Sequence, residues 1–127
     1  MQRGVPRLFV KQVLIAITMA GIFASVALAH HGWTGYDENQ TLNLTGTIQD
    51  SGWDNPHGFV HLQVHGEKGK TWLVVLAPPS RMESRGLARE SLKAGATATL
   101  VGYPNRTKPD ELRAERIMID GKTTELR

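Results

Sequence analysis

Five histidines are the residues of this chain with the clearest capacity for chemistry, and none lies after residue 65. They are His30, His31, His57, His61 and His65. Neutral imidazole nitrogens are good ligands for copper(II), which heads the affinity series of the divalent first-row metals. The chain has no cysteine and therefore no thiolate site for copper(I) or zinc. These residue types favour a nitrogen-ligated copper(II) site.

His30 is of special interest because a predicted cleavage site immediately precedes it. Basic residues near the start are followed by an apolar run over residues 13–28, and Ala27 and Ala29 have the small-x-small pattern of a secretory signal peptide. Cleavage after Ala29 would make residues 1–29 a signal peptide and residues 30–127 the mature domain. The pattern predicts a periplasmic or secreted protein with no stable membrane span after cleavage. A retained anchor is the alternative, since a spanning helix needs roughly 17 to 25 apolar residues.

A mature chain beginning with His30 would place an α-amino group and an imidazole on one residue, and the two can chelate one metal ion. The α-amino group has a reference pKa of about 7.7 to 8.0, so its deprotonation costs little at neutral pH. The metal hypothesis joins His30 to His57, which follows the rigid Asn55-Pro56 turn, with His31 or His61 as further ligands. Copper(II) is the cofactor that this hypothesis predicts.

Structural interpretations of the same histidines stay open at this point. His30 and His31 would then be a mobile terminus and His57 would cap a turn through its ring nitrogens. His61 and His65 would be solvent-facing residues of a strand, which is the favoured interpretation for these two because exposed strand faces are routinely polar. Histidines also titrate near neutrality, so a pH-sensitive contact is a third interpretation.

Length and charge limit the class of protein. Removing 29 residues from the 127 leaves 98, enough for one small domain with one core. The leader holds three of the 15 Lys and Arg residues and none of the 12 Asp and Glu residues, so the mature part has twelve of each sign and is formally neutral. Neutrality and export together argue against nucleic-acid binding, which normally uses a basic patch.

The order of the predicted elements indicates an all-β fold. Alternating or apolar runs predict strands over Thr41–Trp53, Phe59–His65, Thr71–Ala77, Ala96–Tyr103 and Glu111–Asp120. A short helix is predicted between the third and fourth strands, with a second short turn over residues 88–93. Three strands, a helix and two strands are the element order of a five-stranded OB-like barrel. A five-stranded meander sandwich is the alternative.

Local signals refine this prediction. Ser80 and Glu83 form an S-x-x-E capping box, so the helix is expected to run from about Arg81 to Gly86. A parity change in the last strand indicates a bulge near Glu115 and Arg116. Residues 30–40 are expected to form an extended arm on the barrel, and residues 122–127 a short tail after an Asp-Gly turn.

Three segments of the sequence resemble a known family. They are His30-His31 at the cleavage site, T-L-x-L-T-G-T-I-x-x-x-x-W-x-N-P-H from Thr41 to His57, and L-K-A-G-A-T-A-T-L-V-G-Y-P from Leu92 to Pro104. Together they are similar to bacterial exported proteins grouped as domain-of-unknown-function family 6152. The resemblance implies export and a small β-barrel, and it implies no activity. Gly32 stands where a serine is common in that family, and His61 and His65 are outside the shared motif.

Two functions are therefore carried forward, and neither is enzymatic because no nucleophile elbow, phosphate loop or metalloprotease motif is present. The first is an exported small β-barrel that binds copper(II) through His30 and His57. The alternative is a metal-free envelope interaction module that holds a peptide, a glycan or a partner protein on the barrel face. The aromatic residues that could line such a face are Trp33, Tyr36, Trp53 and Trp72, although Trp72 lies in an apolar strand and is expected in the core.

Overall fold

The computed structural model describes residues 32–67 and 69–127. Residues Gly35–Arg127 form one compact unit of six strands and two short helical segments. The strands are β1 (Leu42–Gly52), β2 (Phe59–Val64), β3 (Thr71–Val75), β4 (Thr97–Pro104), β5 (Glu111–Ile119) and β6 (Lys122–Glu125). The helix α1 spans Pro79–Ser84, and a 3-10 helix spans Arg89–Leu92. In the described part of the chain no helix has the length and apolarity to span a membrane.

Five of the strands close into a barrel. The sheet order is β3-β2-β1-β4-β5-β6, and β3 also pairs with β5. The β3–β5 pair is parallel, whereas the β1–β2, β1–β4, β2–β3 and β4–β5 pairs are antiparallel. With a helix between β3 and β4, this is the predicted OB-like barrel. A meander would pair each strand with its sequence neighbour, which the β1–β4 and β3–β5 pairs contradict.

The barrel interior is filled by aliphatic side chains from alternate strand positions, as expected for half-buried strands. Fully buried side chains come from every barrel strand and include Ile48, Leu62, Val74, Leu100 and Leu112. Met82 of α1 and Leu92 of the 3-10 helix are also buried, so both helical segments contribute to the same core. A small barrel thus obtains its core from side chains alone.

Glycine and bulges bend the long strands. A Cβ built on Gly46 would lie 2.2 Å from the carbonyl oxygen of Gln63, so β1 and β2 approach too closely here for any side chain. The register of β1 against β2 shifts between Ile48 and Asp50. Between β4 and β5, Val101 pairs with Arg116 and Gly102 with Ala114, which leaves Glu115 as the extra residue. The bulge predicted near Glu115 is confirmed.

The start of α1 was predicted wrongly. The N-cap residue is Pro78, Pro79 is the first helical residue, and no side chain caps the helix. Ser80 therefore lies inside the first turn, because proline with its fixed φ at the first helical position starts the helix before the serine. The predicted end is closer to the structure: Gly86 has a φ of +84°, the left-handed conformation that follows a helix.

The segment predicted as a tail is a strand. Asp120 and Gly121 both have positive φ, at 51° and 74°, as in a two-residue hairpin turn. β6 then returns antiparallel to β5, with Ile117 opposite Thr124. The side chain of Leu126 is buried beyond the strand.

The arm before β1 was predicted to be extended and lies partly on the barrel. Residues 32–34 are helical, which differs from the prediction. Tyr36 forms an antiparallel bridge with Asn105. Asp37 N donates to Pro104 O at 2.9 Å, and Arg106 N donates to Gly35 O at 2.9 Å. Residues 35–37 are therefore held along the loop that follows β4.

Candidate binding face

The outward side of strands β2 and β3 presents a continuous row of half-buried side chains. Register places Phe59 beside Val75 and His61 beside Leu73, whereas the alternate residues face the core. We call these four residues the β2–β3 face. In OB-type barrels, this surface and the loops L12 and L45 bind ligands. Here L12 is residues 53–58 and L45 is residues 105–110.

The ring of Phe59 lies over Gly52 of the neighbouring strand. A Cβ on Gly52 would lie 2.1 Å from Cε1 of Phe59, so the glycine makes room for the ring. The rings of Phe59 and His61 meet edge to face, with centroids 5.4 Å apart and an interplanar angle of 71°. The absence of a side chain at Gly52 thus lets the ring of Phe59 lie against β1.

His57 stands at the end of L12, next to this face. The Asn55-Pro56 peptide bond before it is cis. Both backbone polar groups of the next residue, Gly58, are hydrogen-bonded. Gly58 N donates to Ala77 O at 3.0 Å, and Gly58 O accepts from Leu76 N at 2.8 Å. Backbone hydrogen bonds therefore fix the position of the histidine relative to the segment after β3.

The imidazole of His57 contacts the guanidinium of Arg113. Arg113 Nη2 lies 3.0 Å from His57 Nε2. Because a guanidinium only donates, Nε2 accepts this hydrogen bond and the proton of the neutral ring is on Nδ1. Arg113 is buried and lies on β5 opposite Val75, so the contact adjoins the β2–β3 face.

Positive charge surrounds this contact. Burial lowers the pKa of His57, and the charges of Arg113 and Arg81 lower it further. The pKa of Arg113 is lowered by burial and by Arg81 and Arg127, with Tyr36 acting in the opposite direction. The charges of Arg81, Arg113 and Arg127 therefore act on the same few side chains, and we call His57, Arg81 and Arg113 the cationic corner.

A buried carboxylate lies two residues before Arg113 on β5. Glu111 Oε2 accepts hydrogen bonds from Tyr36 Oη at 3.0 Å and from Asn105 Nδ2 at 2.5 Å. Burial and the bond to Glu111 raise the pKa of Tyr36. Asn105 Oδ1 also accepts from the backbone of L45, at Thr107 N and Lys108 N. This cluster joins the arm, L45 and β5 beside the cationic corner.

His61 and His65 each contact a polar side chain of β1. His61 Nδ1 lies 2.5 Å from Asp50 Oδ1 on β1, and Asp50 is the more exposed of the two, at 64% against 39%. His65 lies just beyond β2, and its Nε2 is 3.0 Å from Thr47 Oγ1. His57 lies before β2, at the end of the turn that was predicted there, and the predicted strand Phe59–His65 ends one residue earlier, at Val64.

The structure places the predicted metal ligands as follows. His30 and His31 lie outside the described residues. His57 contacts Arg113 and His61 contacts Asp50. Within residues 32–67 and 69–127 no three His, Cys, Asp or Glu side chains are grouped to hold a metal. The copper site that includes His30 stays a prediction.

The predicted aromatic surface is divided between different places. Trp72 is in the core, as expected, and Trp53 packs against the core from L12. Tyr36 binds Glu111 beside the cationic corner. The sequence analysis missed Phe59, which supplies the aromatic ring of the β2–β3 face. Glu111 and Arg113 were not predicted either, because charged residues that alternate with apolar Leu112 and Ala114 are the ordinary pattern of a strand with one exposed face.

We expect the stability of the protein to fall as the pH is lowered through the titration of His57. Its pKa in the folded protein lies below the ordinary value of 6.5, so the unfolded chain binds more protons in that window. The free energy of unfolding should decrease from about pH 6.5 down to the folded-state pKa and level off below it. Urea unfolding at several pH values measures this. His57→Gln should flatten that part of the profile, whereas exposed His65→Gln should leave it; equal profiles for both variants would contradict the assignment.

Sequence comparison shows which protein family the chain belongs to. Residues 19–112 match the profile of a family described as a family of unknown function (DUF6152). The chain belongs to this family. The matched region includes His57, the β2–β3 face and Glu111, and it ends one residue before Arg113. No curated protein matches the DUF6152 chain significantly in a sequence search.

Solved structures similar to this family member include two of TiaS. One is a complex of TiaS with a tRNA and ATP, with a TM-score of 0.48 and 17% identity over 72% of this chain and 20% of that chain. The other is a ZRD-deleted mutant of TiaS with agmatine, with a TM-score of 0.47 and 16% identity over 72% of this chain and 25% of that chain. The chain thus spans a quarter or less of the length of these proteins.

Proposed function

We propose that this protein is a ligand-binding module that takes its ligand on the β2–β3 face between L12 and L45. One observation carries the proposal: a row of half-buried apolar side chains ends at the His57–Arg113 contact. The apolar side chains provide area to bury, and the polar groups at the end provide orientation. Ligand-binding sites are usually lined by apolar side chains, with a small number of polar groups that orient the ligand.

Rigid elements support the face. Phe59, Leu73 and Val75 belong to strands, and the backbone bonds of Gly58 hold the end of L12. The Tyr36–Glu111–Asn105 bonds hold L45 against β5. A ligand therefore meets side chains that lose little freedom on binding, which lowers the cost of association.

The proposal favours the metal-free interaction module among the two functions carried forward. Copper(II) binding by His30 and His57, with His31 or His61, remains a proposal from the sequence. A copper ion on Nε2 of His57 would have to displace the guanidinium of Arg113, and the cationic corner would repel it. EPR of the processed protein with copper tests this: a nitrogen-ligated signal that is lost in His57→Ala would support the copper site.

Export is part of the same proposal. We infer from the leader pattern that the module acts in the periplasm or outside the cell. Mass spectrometry of the protein recovered from the periplasm should give an N-terminus at His30. A mass that retains residues 1–29 would contradict cleavage and would also remove the terminal amine from the copper hypothesis.

The binding face is tested by NMR with labelled protein. A panel of short peptides and oligosaccharides is titrated, and the amide signals of β2, β3, L12 and L45 are followed. Leu73→Lys places a charge in the middle of the face and should abolish these shifts. Met118→Lys is the matched control, because Met118 is an exposed hydrophobic residue of β5 outside this face. Shifts elsewhere on the barrel, or shifts that survive Leu73→Lys, would overturn the proposal.

A further inference from the structure

We propose that the ligand of the β2–β3 face is an amphipathic carboxylate. Its carboxylate group lies between the imidazole of His57 and the guanidinium of Arg81, and its apolar part lies on Phe59 and Val75. This inference rests on the proposed function, because it names the chemistry of the molecule that the same face would bind.

The imidazole of His57 has one nitrogen engaged and one N–H left to donate. Nε2 accepts from Arg113, so the proton of the neutral ring is on Nδ1. No side chain or backbone atom of the described residues accepts from Nδ1, and the ring is half-buried. An N–H donor beside an apolar surface selects a ligand that carries an acceptor.

The His57 imidazole lies among positive charges. Arg81 belongs to α1, which packs beside L12: a Cβ built on Gly58, next to His57, would lie 2.7 Å from Cε of Met82. Burial, Arg113 and Arg81 together lower the pKa of His57. Arg81 Nη1 donates to Leu126 O at 3.2 Å, which positions the guanidinium while the residue stays exposed. Arg113 is a second guanidinium of the same corner and is buried, and Arg127 forms an ion pair with Glu38. The acceptor at His57 is therefore favoured when it is an anion.

The donors of the cationic corner and the apolar side chains next to it match the two ends of an amphipathic carboxylate. His57 offers one N–H and Arg81 offers a planar guanidinium, which matches the two oxygens of a carboxylate. Phe59 and Val75 are paired across β2 and β3 beside Arg113, and Leu73 lies one same-face position further, about 7 Å along the strand. A short aliphatic chain covers that distance from the cationic corner.

Hexanoate, hexanol and inorganic phosphate are the probes, added separately to labelled full-length protein. NMR follows the imidazole of His57 and the side chains of Phe59 and Val75. Hexanoate should shift all three, whereas hexanol should bind at least tenfold more weakly because it lacks the charge. Arg81→Gln should weaken hexanoate binding about tenfold and leave hexanol unchanged. Arg89→Gln, an exposed arginine of the 3-10 helix, is the matched control and should behave as the wild type.

The outcomes separate this inference from the proposed function. Equal binding of hexanoate and hexanol, or hexanoate binding that ignores Arg81→Gln, overturns the carboxylate inference and leaves a binding face for neutral ligands. Phosphate that shifts His57 as strongly as hexanoate overturns it in favour of an inorganic anion site. Peptide or oligosaccharide shifts on the face without any hexanoate shift overturn the inference alone. If no probe in either experiment shifts the NMR signals of the β2–β3 face, the proposed function is wrong as well.

Discussion

Leu126→Ala is expected to lower the free energy of unfolding by about 2–5 kcal/mol, the cost of removing a buried leucine side chain from a packed core. Leu126 is 1% exposed and belongs to the core cluster, directly after β6. Its backbone is also engaged, since Leu126 N donates to Glu115 O at 2.7 Å and Leu126 O accepts from Arg81. The cavity cannot collapse easily because these bonds hold the chain on both sides. Equilibrium unfolding in urea measures the loss.

Glu125→Ala is the matched control at the neighbouring position. Its carboxylate forms an exposed ion pair with Arg116 at 3.1 Å. Exposed pairs of this kind contribute about 0–1 kcal/mol, so the control should stay close to the wild type. Equal effects of the two substitutions would mean that the last residues are a solvated tail, as the sequence suggested.

Glu111→Ala is expected to cost about 2–4 kcal/mol, because it leaves the Tyr36 hydroxyl and the Asn105 amide without their common acceptor. Glu111 is 8% exposed, so water replaces the lost bonds poorly. The arm and L45 should loosen together. The amides of Asp37 and Arg106, which hold the arm on the barrel, should then exchange with solvent faster.

Two comparisons make the result specific for the buried cluster. Tyr36→Phe removes one of the two bonds and should cost about 1 kcal/mol. Glu67→Ala removes an exposed carboxylate that pairs with Lys70 at 3.5 Å and should have an effect of less than about 1 kcal/mol. If Glu111→Ala left the exchange of the two amides unchanged, the cluster would not be what holds the arm.

The barrel was predictable because its signals are local. Each signal lies within a few residues of the element that it predicts. Examples are the alternation in β1 and β2, the apolar run of β3 and the two prolines at the start of α1. The parity change in β5 located the bulge at Glu115. The Asp120-Gly121 turn was recognised, but β6 was not, because only Leu126 is apolar in the six residues that follow. An Asp-Gly pair favours a two-residue hairpin turn, and in this chain that local preference predicts β6 better than the polar composition of residues 122–127 does.

The candidate site was predictable only in part. The Asn-Pro turn drew attention to His57, but its partner Arg113 is 56 positions away in the chain. The two meet because β3 and β5 pair, and no local pattern encodes that contact. The same reason explains why Tyr36 was named as a surface aromatic residue but its bond to Glu111 was not predicted. A sequence can indicate a single residue with a useful side chain, such as His57. It does not indicate a contact between two residues that are far apart in the chain, such as His57 and Arg113.

The parallel β3–β5 pair has a consequence for synthesis and folding. β3 leaves the ribosome well before β5, and α1, the 3-10 helix and β4 come between them. Until β5 arrives, one edge of β3 keeps its backbone donors and acceptors unpaired, and such an edge can join a strand of another molecule. Pairing across so long a separation is also slow to form. A lower concentration of newly made chains, as obtained with weak induction, should therefore raise the yield of soluble protein.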